Sequence, residues 1–269
     1  NGPVDVGFDT FFSISAALDM PPYVYVDDDR PTAVPDRVVP ASAGKRMWRE
    51  GPIAPDFSHE DVLPRLTERA LRFIADAGAA DQPFFLYFPL NAPHTPILPT
   101  KEFRGVSGTN CVQVDDVVGR IMSALDGRGL AEDTILIYAS DNGCAPPADF
   151  KALHRLGHHP SHVFRGHKAD IYEGGHRIPL IVRWPSRIPG GSVSDETVCL
   201  VDLLATCADI LGDPLPDTAG EDSVSTLPVW EGNHLETSPR EATGHDSING
   251  SSSIRRGDWK MEMCPGTGG

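Results

Sequence analysis

Apolar runs of strand length alternate along this chain with segments whose apolar residues recur at helical spacing, and that alternation restricts the fold more than any other feature. DVLPRLTERALRFIADAG (61–78) sets Leu63, Leu66, Ala70, Phe73 and Ala77 on one stripe, with Asp61 able to cap, Pro64 in the tolerated first turn and Gly78 closing the helix. PFFLYFPL (83–90) follows as a short strand. VQVDDVVGRIMSALDG (112–127) predicts a second helix with Val114, Val117, Val118, Ile121 and Leu125 on one face and Gly127 at its end. TILIYAS (134–140) and RIPLIVRWP (177–185) read as strands, and TVCLVDLLATCADILG (197–212) as a third helix. Continuous apolar strands separated by helices predict an α/β fold whose mainly parallel sheet is flanked by helices on both faces.

The ends differ in texture. Residues 1–58 are rich in Pro and Gly and read as loops with short strands or helices; their acidic patch VDDDR (26–30) reads as a solvated loop, since three consecutive aspartates do not face one cation. From about residue 240, REATGHDSINGSSSIRRGDWKMEM alternates polar and apolar residues around Asn-Gly and Gly-Asp turns, as in a small antiparallel sheet. The expected organisation is therefore an α/β domain over 1–238 and an incomplete antiparallel subdomain over 239–269.

With 269 residues and 40% apolar content, the chain can bury a large core. Its net charge of −15 argues against nucleic acid, whose phosphates demand a basic face, although a few cations can still dominate a cleft. No apolar run is long enough to span a membrane. The five cysteines (Cys111, Cys144, Cys199, Cys207, Cys264) are scattered, with no CxxC pair and room for one disulfide.

In a parallel α/β sheet, ligands gather outside the carboxyl ends of the strands. Three loops there carry chemistry. The first strand runs into NAPHTP, which holds His94 between two prolines; the second ends at Asp141-Asn142-Gly143; the third is preceded by FRGHKADIYEGGHRIP, with Arg165, Lys168, Glu173 and His176. Asp and Asn offer oxygens suited to Ca²⁺ or Mg²⁺, though two side chains fill only part of a shell of roughly 6–8 oxygens. A cation, a lysine and a histidine converging on one point would trap an anion and pass a proton to a leaving group. Each piece has a plainer reading: Asn-Gly as a hairpin turn, Pro-His-x-Pro as a rigid loop, Lys168 as a solvated cation, Glu173 as an arginine partner. The histidines of HRLGHHPSHVFRGH (154–167) lack metal-ligand spacing and read as a mobile loop at the mouth of a cleft.

The order of these pieces carries a resemblance. FFLYFPLNAPHTPI, VDDVVGRIMSALDGRGLAEDTILIYASDNG and FRGHKADIYEGGHRIPLIVRWP, with GFDTFF near the start and SIRRGDWKMEMCPGTGG at the end, resemble the sulfatase family of the arylsulfatase A and N-acetylgalactosamine-6-sulfatase type. The resemblance implies an alkaline-phosphatase-like fold with a small C-terminal sheet. It also implies Asp141 and Asn142 as ligands of Ca²⁺, ahead of Mg²⁺, with His94 and Lys168 on the sulfate and its bridging oxygen. His245 would be a substrate contact from the C-terminal sheet, and Arg165, Glu173 and His176 support. The substrate would be a sulfated small molecule or sulfated glycan, and the protein periplasmic or secreted.

This sequence departs from the family pattern in one respect that matters for chemistry. The family's nucleophile is a formylglycine made in a Cys/Ser-x-Pro-x-Arg motif, and none of the five cysteines stands in one: Cys144 is followed by APP and Cys264 by PGT. That motif, the first metal-binding aspartates and an upstream Lys and His are expected to precede Asn1. The approach FRGVSGTN also looks short, which would trim the first turn of the second helix. The leading expectation is sulfuric ester hydrolysis by the parent protein, with this chain holding about half of the site and inactive alone. The alternatives are a phosphodiesterase or phosphonate hydrolase of the same superfold, and a non-catalytic anion or glycan binding module.

Overall fold

The computed structural model describes residues 2–80, 82–106, 108–233 and 235–268, and the chain divides into two compact units, Asn1–Ala131 and Glu132–Gly269. The expected boundary at 238/239 falls inside the second unit.

In the first unit, β1 (Phe12–Ile14), β2 (Tyr25–Asp27) and β3 (Arg30–Pro31) form an antiparallel sheet, and β4 (Arg37–Val39) pairs antiparallel with β5 (Gly51–Ile53). The acidic stretch turns between β2 and β3, and its aspartates diverge. Asp27 pairs with Arg69 at 2.6 Å, Asp28 accepts the Phe11 N–H at 2.9 Å and Asp29 lies 3.3 Å from Arg30. Helix α1 (Val62–Ala80) covers Tyr23, Tyr25, Ile53 and Phe57 with Val62 and Leu66, and each such buried aliphatic side chain stabilises the fold by roughly 1.5–3 kcal/mol. Its buried stripe runs through Ala70 to Ile74, leaving Phe73 and Ala77 half-buried. Gly78 does not end the helix. A Cβ there would stand 2.9 Å from Leu130 Cδ1, so the glycine permits close packing inside α1.

Helix α2 (Thr109–Asp126) packs on α1 and buries Val114, Val117, Ile121 and Leu125, with Val118 half-buried. It starts before residue 112, so the short approach leaves the first turn intact. Residues 83–90 depart from expectation. They are extended, with Phe85 and Tyr87 exposed on one side and Phe84, Leu86 and Phe88 half-buried on the other, but no backbone hydrogen bond among the described residues joins them to a neighbouring strand.

In the second unit, β6 (Leu136–Ala139) pairs with β7 (Leu180–Arg183), from Leu136↔Arg183 to Ala139↔Leu180. That pairing is antiparallel, as is every ladder between named strands among the described residues; parallel geometry is limited to the bridge Tyr23↔Ile53. The mainly parallel sheet is therefore not the pattern of these ladders. The reason is local: 83–90 has no paired neighbour, and the β6–β7 connection, which holds α3 (Phe150–Arg155) and α4 (Glu173–His176), returns the chain instead of crossing over.

Helix α5 (Asp202–Leu211) begins five residues inside the expected segment, where Asp202 accepts the backbone N–H groups of Cys199 (2.7 Å) and Val224 (3.1 Å), and it ends at Gly212 with φ +67°. After α6 (Leu227–Trp230) come β8 (Thr243–Asp246), β9 (Ser252–Arg256) and β10 (Trp259–Glu262), an antiparallel sheet in the order β10-β9-β8 as the sequence predicts. Its second turn is the two-residue Gly257–Asp258, where Gly257 adopts φ +56°. None of the five cysteines forms a disulfide among the described residues, and no helix there is long and apolar enough to cross a membrane.

Candidate anion and cation site

Strand β6 delivers its last residue into a bend at Asp141-Asn142-Gly143. This is not a hairpin turn, because the partner of β6 lies beyond α4. Backbone contacts fix the bend instead. The Gly143 N–H donates to Gly175 O (2.9 Å), and Cys144 O accepts the Lys168 N–H (2.9 Å). A Cβ at Gly143 would fall 1.9 Å from Gly174 O, so only glycine admits this approach.

The loop that carries Lys168 is folded tightly on itself. Gly174 N–H reaches Arg165 O (2.7 Å), Gly175 N–H reaches Tyr172 O (2.8 Å), and the buried Asp170 carboxylate accepts the His167 N–H (3.0 Å). Next to Lys168, Ala169 sits at φ +86°, a left-handed conformation that costs an L-residue of order 1–3 kcal/mol. The strain persists because both flanks are held: Lys168 by Cys144 and Ala169 by the Ile248 N–H, which donates to its carbonyl at 3.2 Å.

The structure thus brings Asp141, Asn142 and Lys168 into one loop cluster. No hydrogen bond or ion pair among the described residues engages the Asp141 carboxylate, the Asn142 side-chain amide or the Lys168 ammonium, so two oxygen ligands and one cation are unclaimed by protein. That donor set fits a hard cation but fills only part of its shell. Among the described residues, no group of three or more His, Cys, Asp or Glu stands where it could hold a metal ion. The histidine-rich segment forms α3 and a loop in which His154 and His159 touch, ring centroids 4.6 Å apart.

His94 belongs to the first unit, exposed between Pro93 and Pro96. Its Nδ1 lies 2.6 Å from Thr95 O. A carbonyl only accepts, so Nδ1 carries the proton and Nε2 keeps the open position.

His245, on β8, stacks on His176 with centroids 3.9 Å apart and planes at 12°, and its Nδ1 is buried without a hydrogen-bond partner among the described residues. Sequence reading missed the group behind this stack. Glu173 meets Arg255 (3.0 Å), Lys260 (3.0 Å) and Arg177 (3.4 Å). Burial works to raise the Glu173 carboxyl, but the Lys260 hydrogen bond and the charges of Lys260 and Arg255 outweigh it and hold it below the usual carboxylate range. The available signal was Lys260 standing between Trp259 and Met261, a charge on the inward face of a predicted strand.

Burial, then the neighbouring His245 and Lys260, push His176 down to about 4; burial alone pushes His59 down to about 4, and His245 is lowered mainly by burial. His59 is packed in the first unit against Tyr23, Trp48 and Phe57. These imidazoles fold neutral. Below the ordinary histidine value of 6.5 the unfolded chain takes up protons that the folded chain refuses, so stability falls as pH drops from about 6.5 to about 4 and levels off below. Urea unfolding at a series of pH values is expected to show this slope, and His59→Phe is expected to shallow it in the first unit.

An acid and an amide in the bend after β6, tied by backbone hydrogen bonds to the lysine-bearing loop that leads into β7, form the kind of arrangement in which a protein can hold a cation and an oxyanion. The sulfatase family profile matches residues 3–213, and the chain belongs to that family. It is 34% identical over 221 residues to the N-acetylgalactosamine-6-O-sulfatase of Bacteroides thetaiotaomicron, covering 79% of this chain and 42% of that protein. It is 33% identical over 215 residues to human arylsulfatase A, covering 75% and 40%. A solved structure from work on the metabolism of multiple glycosaminoglycans by B. thetaiotaomicron matches with a TM-score of 0.85 at 28% identity, covering 96% of this chain and 62% of that one. The chain spans less than half the length of these curated relatives, and its fold is that of the alkaline-phosphatase-like sulfatases.

Proposed function

We propose that the protein containing this chain hydrolyses sulfuric esters and that residues 132–269 carry part of its metal and sulfate site. The observation that carries this reading is the loop cluster in which Gly175 O and Cys144 O hold Asp141, Asn142 and Lys168 together with their polar side chains unclaimed. Asp141 and Asn142 would hold Ca²⁺, which when bound would draw charge from the sulfate oxygens. Lys168 would donate to a sulfate oxygen and oppose the charge that builds on the bridging oxygen as the alcohol leaves. For His94 we propose, by resemblance, a place at the departing alcohol: its Nε2, unprotonated in the neutral ring, would first take up a proton and then pass it to the leaving oxygen. His245 would contact the substrate through the C-terminal sheet. The nucleophile would come from outside this sequence. The B. thetaiotaomicron relative is named for an N-acetylgalactosamine 6-sulfate ester, which supports a sulfated glycan as the substrate class here, and export to the periplasm or beyond the cell is proposed with it.

Two assays test this. Terbium luminescence of the 269-residue chain is expected to report weak binding that Asp141→Ala abolishes, with no hydrolysis of an aryl sulfate. In the longer protein, aryl sulfate turnover is expected, and Lys168→Ala is expected to lower kcat by about 10²–10³. Turnover by the isolated chain, or a longer protein that cleaves phosphodiesters and leaves sulfate esters intact, would overturn the proposal.

A further inference from the structure

The Lys260 ammonium has three hydrogens, and the structure places three acceptors on them: Ile171 O at 2.6 Å, Glu173 Oε1 at 3.0 Å and His176 Nε2 at 2.7 Å. All three belong to the 171–176 turn, while Lys260 comes from β10. Its neighbour across the ladder, Arg255 on β9, grips the other Glu173 oxygen at 3.0 Å. One strand pair therefore meets a single carboxylate with two cations. The Lys260 side chain is only 11% exposed, so these contacts are made out of bulk water, where charge-assisted hydrogen bonds are strong.

The turn so gripped is the one that fixes the candidate site. Gly175 O, one residue from His176, takes the Gly143 N–H, and Gly174 N–H returns to Arg165 O at the start of the Lys168 loop. The neighbouring Ile171 N–H donates to Thr267 O and the Tyr172 hydroxyl to Gly266 O, so the segment after β10 grips the same loop. Because Lys260 donates to His176 Nε2, that nitrogen must be the acceptor, which sets the His176 tautomer and with it the ring that stacks on His245.

We infer that Lys260 and Glu173 are positioning residues: the C-terminal sheet, through this ammonium–carboxylate clasp, holds the 171–176 turn and thereby sets the Asp141-Asn142-Gly143 bend and the Lys168 loop. This rests on the functional reading above for what the bend and loop do, but not for the clasp itself. It assigns the C-terminal sheet a part in shaping the metal and oxyanion ligands, beyond any contact it makes with substrate.

The test is residue-resolved amide exchange of the full chain with Lys260→Met, which keeps most of the stem and removes the charge, alongside Glu173→Gln and Lys260→Arg. Exchange of the Gly143 and Lys168 amides is expected to accelerate by about tenfold or more in Lys260→Met and Glu173→Gln, with α5 amides unchanged and Lys260→Arg restoring part of the protection. The His176 ring is expected to lose its fixed tautomer by nitrogen NMR in Lys260→Met. Unchanged Gly143 and Lys168 exchange in folded variants would overturn the clasp, as would acceleration spread evenly over the whole unit. Terbium titration of the same samples separates the two proposals. Wild-type binding weakened in Lys260→Met supports both, whereas no wild-type binding counts against the metal reading while amide exchange still decides the clasp.

Discussion

Gly143→Ala is expected to spring the candidate site apart. The added methyl would meet Gly174 O at 1.9 Å, Gly174 C at 2.9 Å and Gly175 C at 3.2 Å. All three are backbone atoms, with no flexible side chain to swing aside, so relief requires separating the 141–143 bend from the 174–175 turn. That separation also breaks the Gly143–Gly175 hydrogen bond. Overpacking of this kind costs about 1–3 kcal/mol and sometimes more, and here the displacement falls on Asp141 and Asn142. The expected result is a lower urea midpoint for the second unit together with loss of terbium binding. Gly119→Ala is the matched control. Gly119 lies inside α2 with nothing within 4 Å of its would-be Cβ, so alanine there is expected to stabilise by about 0.5–1 kcal/mol.

Arg240→Met is expected to be the most damaging single change away from the site. Asp202 is 1% exposed and is held by the Arg240 guanidinium through Nη2 and Nε, and Arg240 also reaches Asp222 O. Removing the guanidinium leaves a buried carboxylate with only the Cys199 and Val224 N–H groups, and uncompensated buried charge costs about 3–5 kcal/mol. Denaturation is expected to show that loss. Asp202→Asn in the same background is expected to recover part of it, because the charge that suffers is then gone, and this cycle isolates the pair. Lys at 240 is expected to rescue poorly, since an ammonium cannot reproduce the two-point grip.

What the sequence disclosed, and what it withheld, follows from how far each interaction reaches along the chain. The stripe Leu63, Leu66, Ala70 and the face Val114, Val117, Ile121, Leu125 are local periodicities, and both helices form where those residues lie. The Asn-Gly and Gly-Asp turns near the end are equally local and yield the β8–β10 sheet. Sheet direction is not local: nothing inside LIYA and LIVR states whether they run together or opposed, and they pair antiparallel. Gly78 read as a helix terminator because the Leu130 side chain that fills the space above it is remote in sequence. Residue chemistry and family resemblance single out Asp141, Asn142 and Lys168 for the candidate site, and the structure adds the backbone bonds at Gly143 and Cys144 that join their loops. The Lys260–Glu173–His176 group could not be assembled from the sequence: Glu173 reads as an arginine partner, which Arg177 and Arg255 bear out, but the charge on the inward face of β10 names no partner until that strand is folded against the turn.

The extended segment 83–90 has a consequence for handling the molecule. It presents Phe85 and Tyr87 to solvent beside a backbone whose donors and acceptors no strand among the described residues takes up. Such an edge is a template on which another copy can add. What opposes self-association is the mutual repulsion of chains bearing a formal charge of −15, and dissolved electrolyte shortens the reach of that repulsion to about 8–10 Å at physiological strength. Raising the ionic strength is therefore expected to favour association of this polypeptide, which light scattering across a salt series would show.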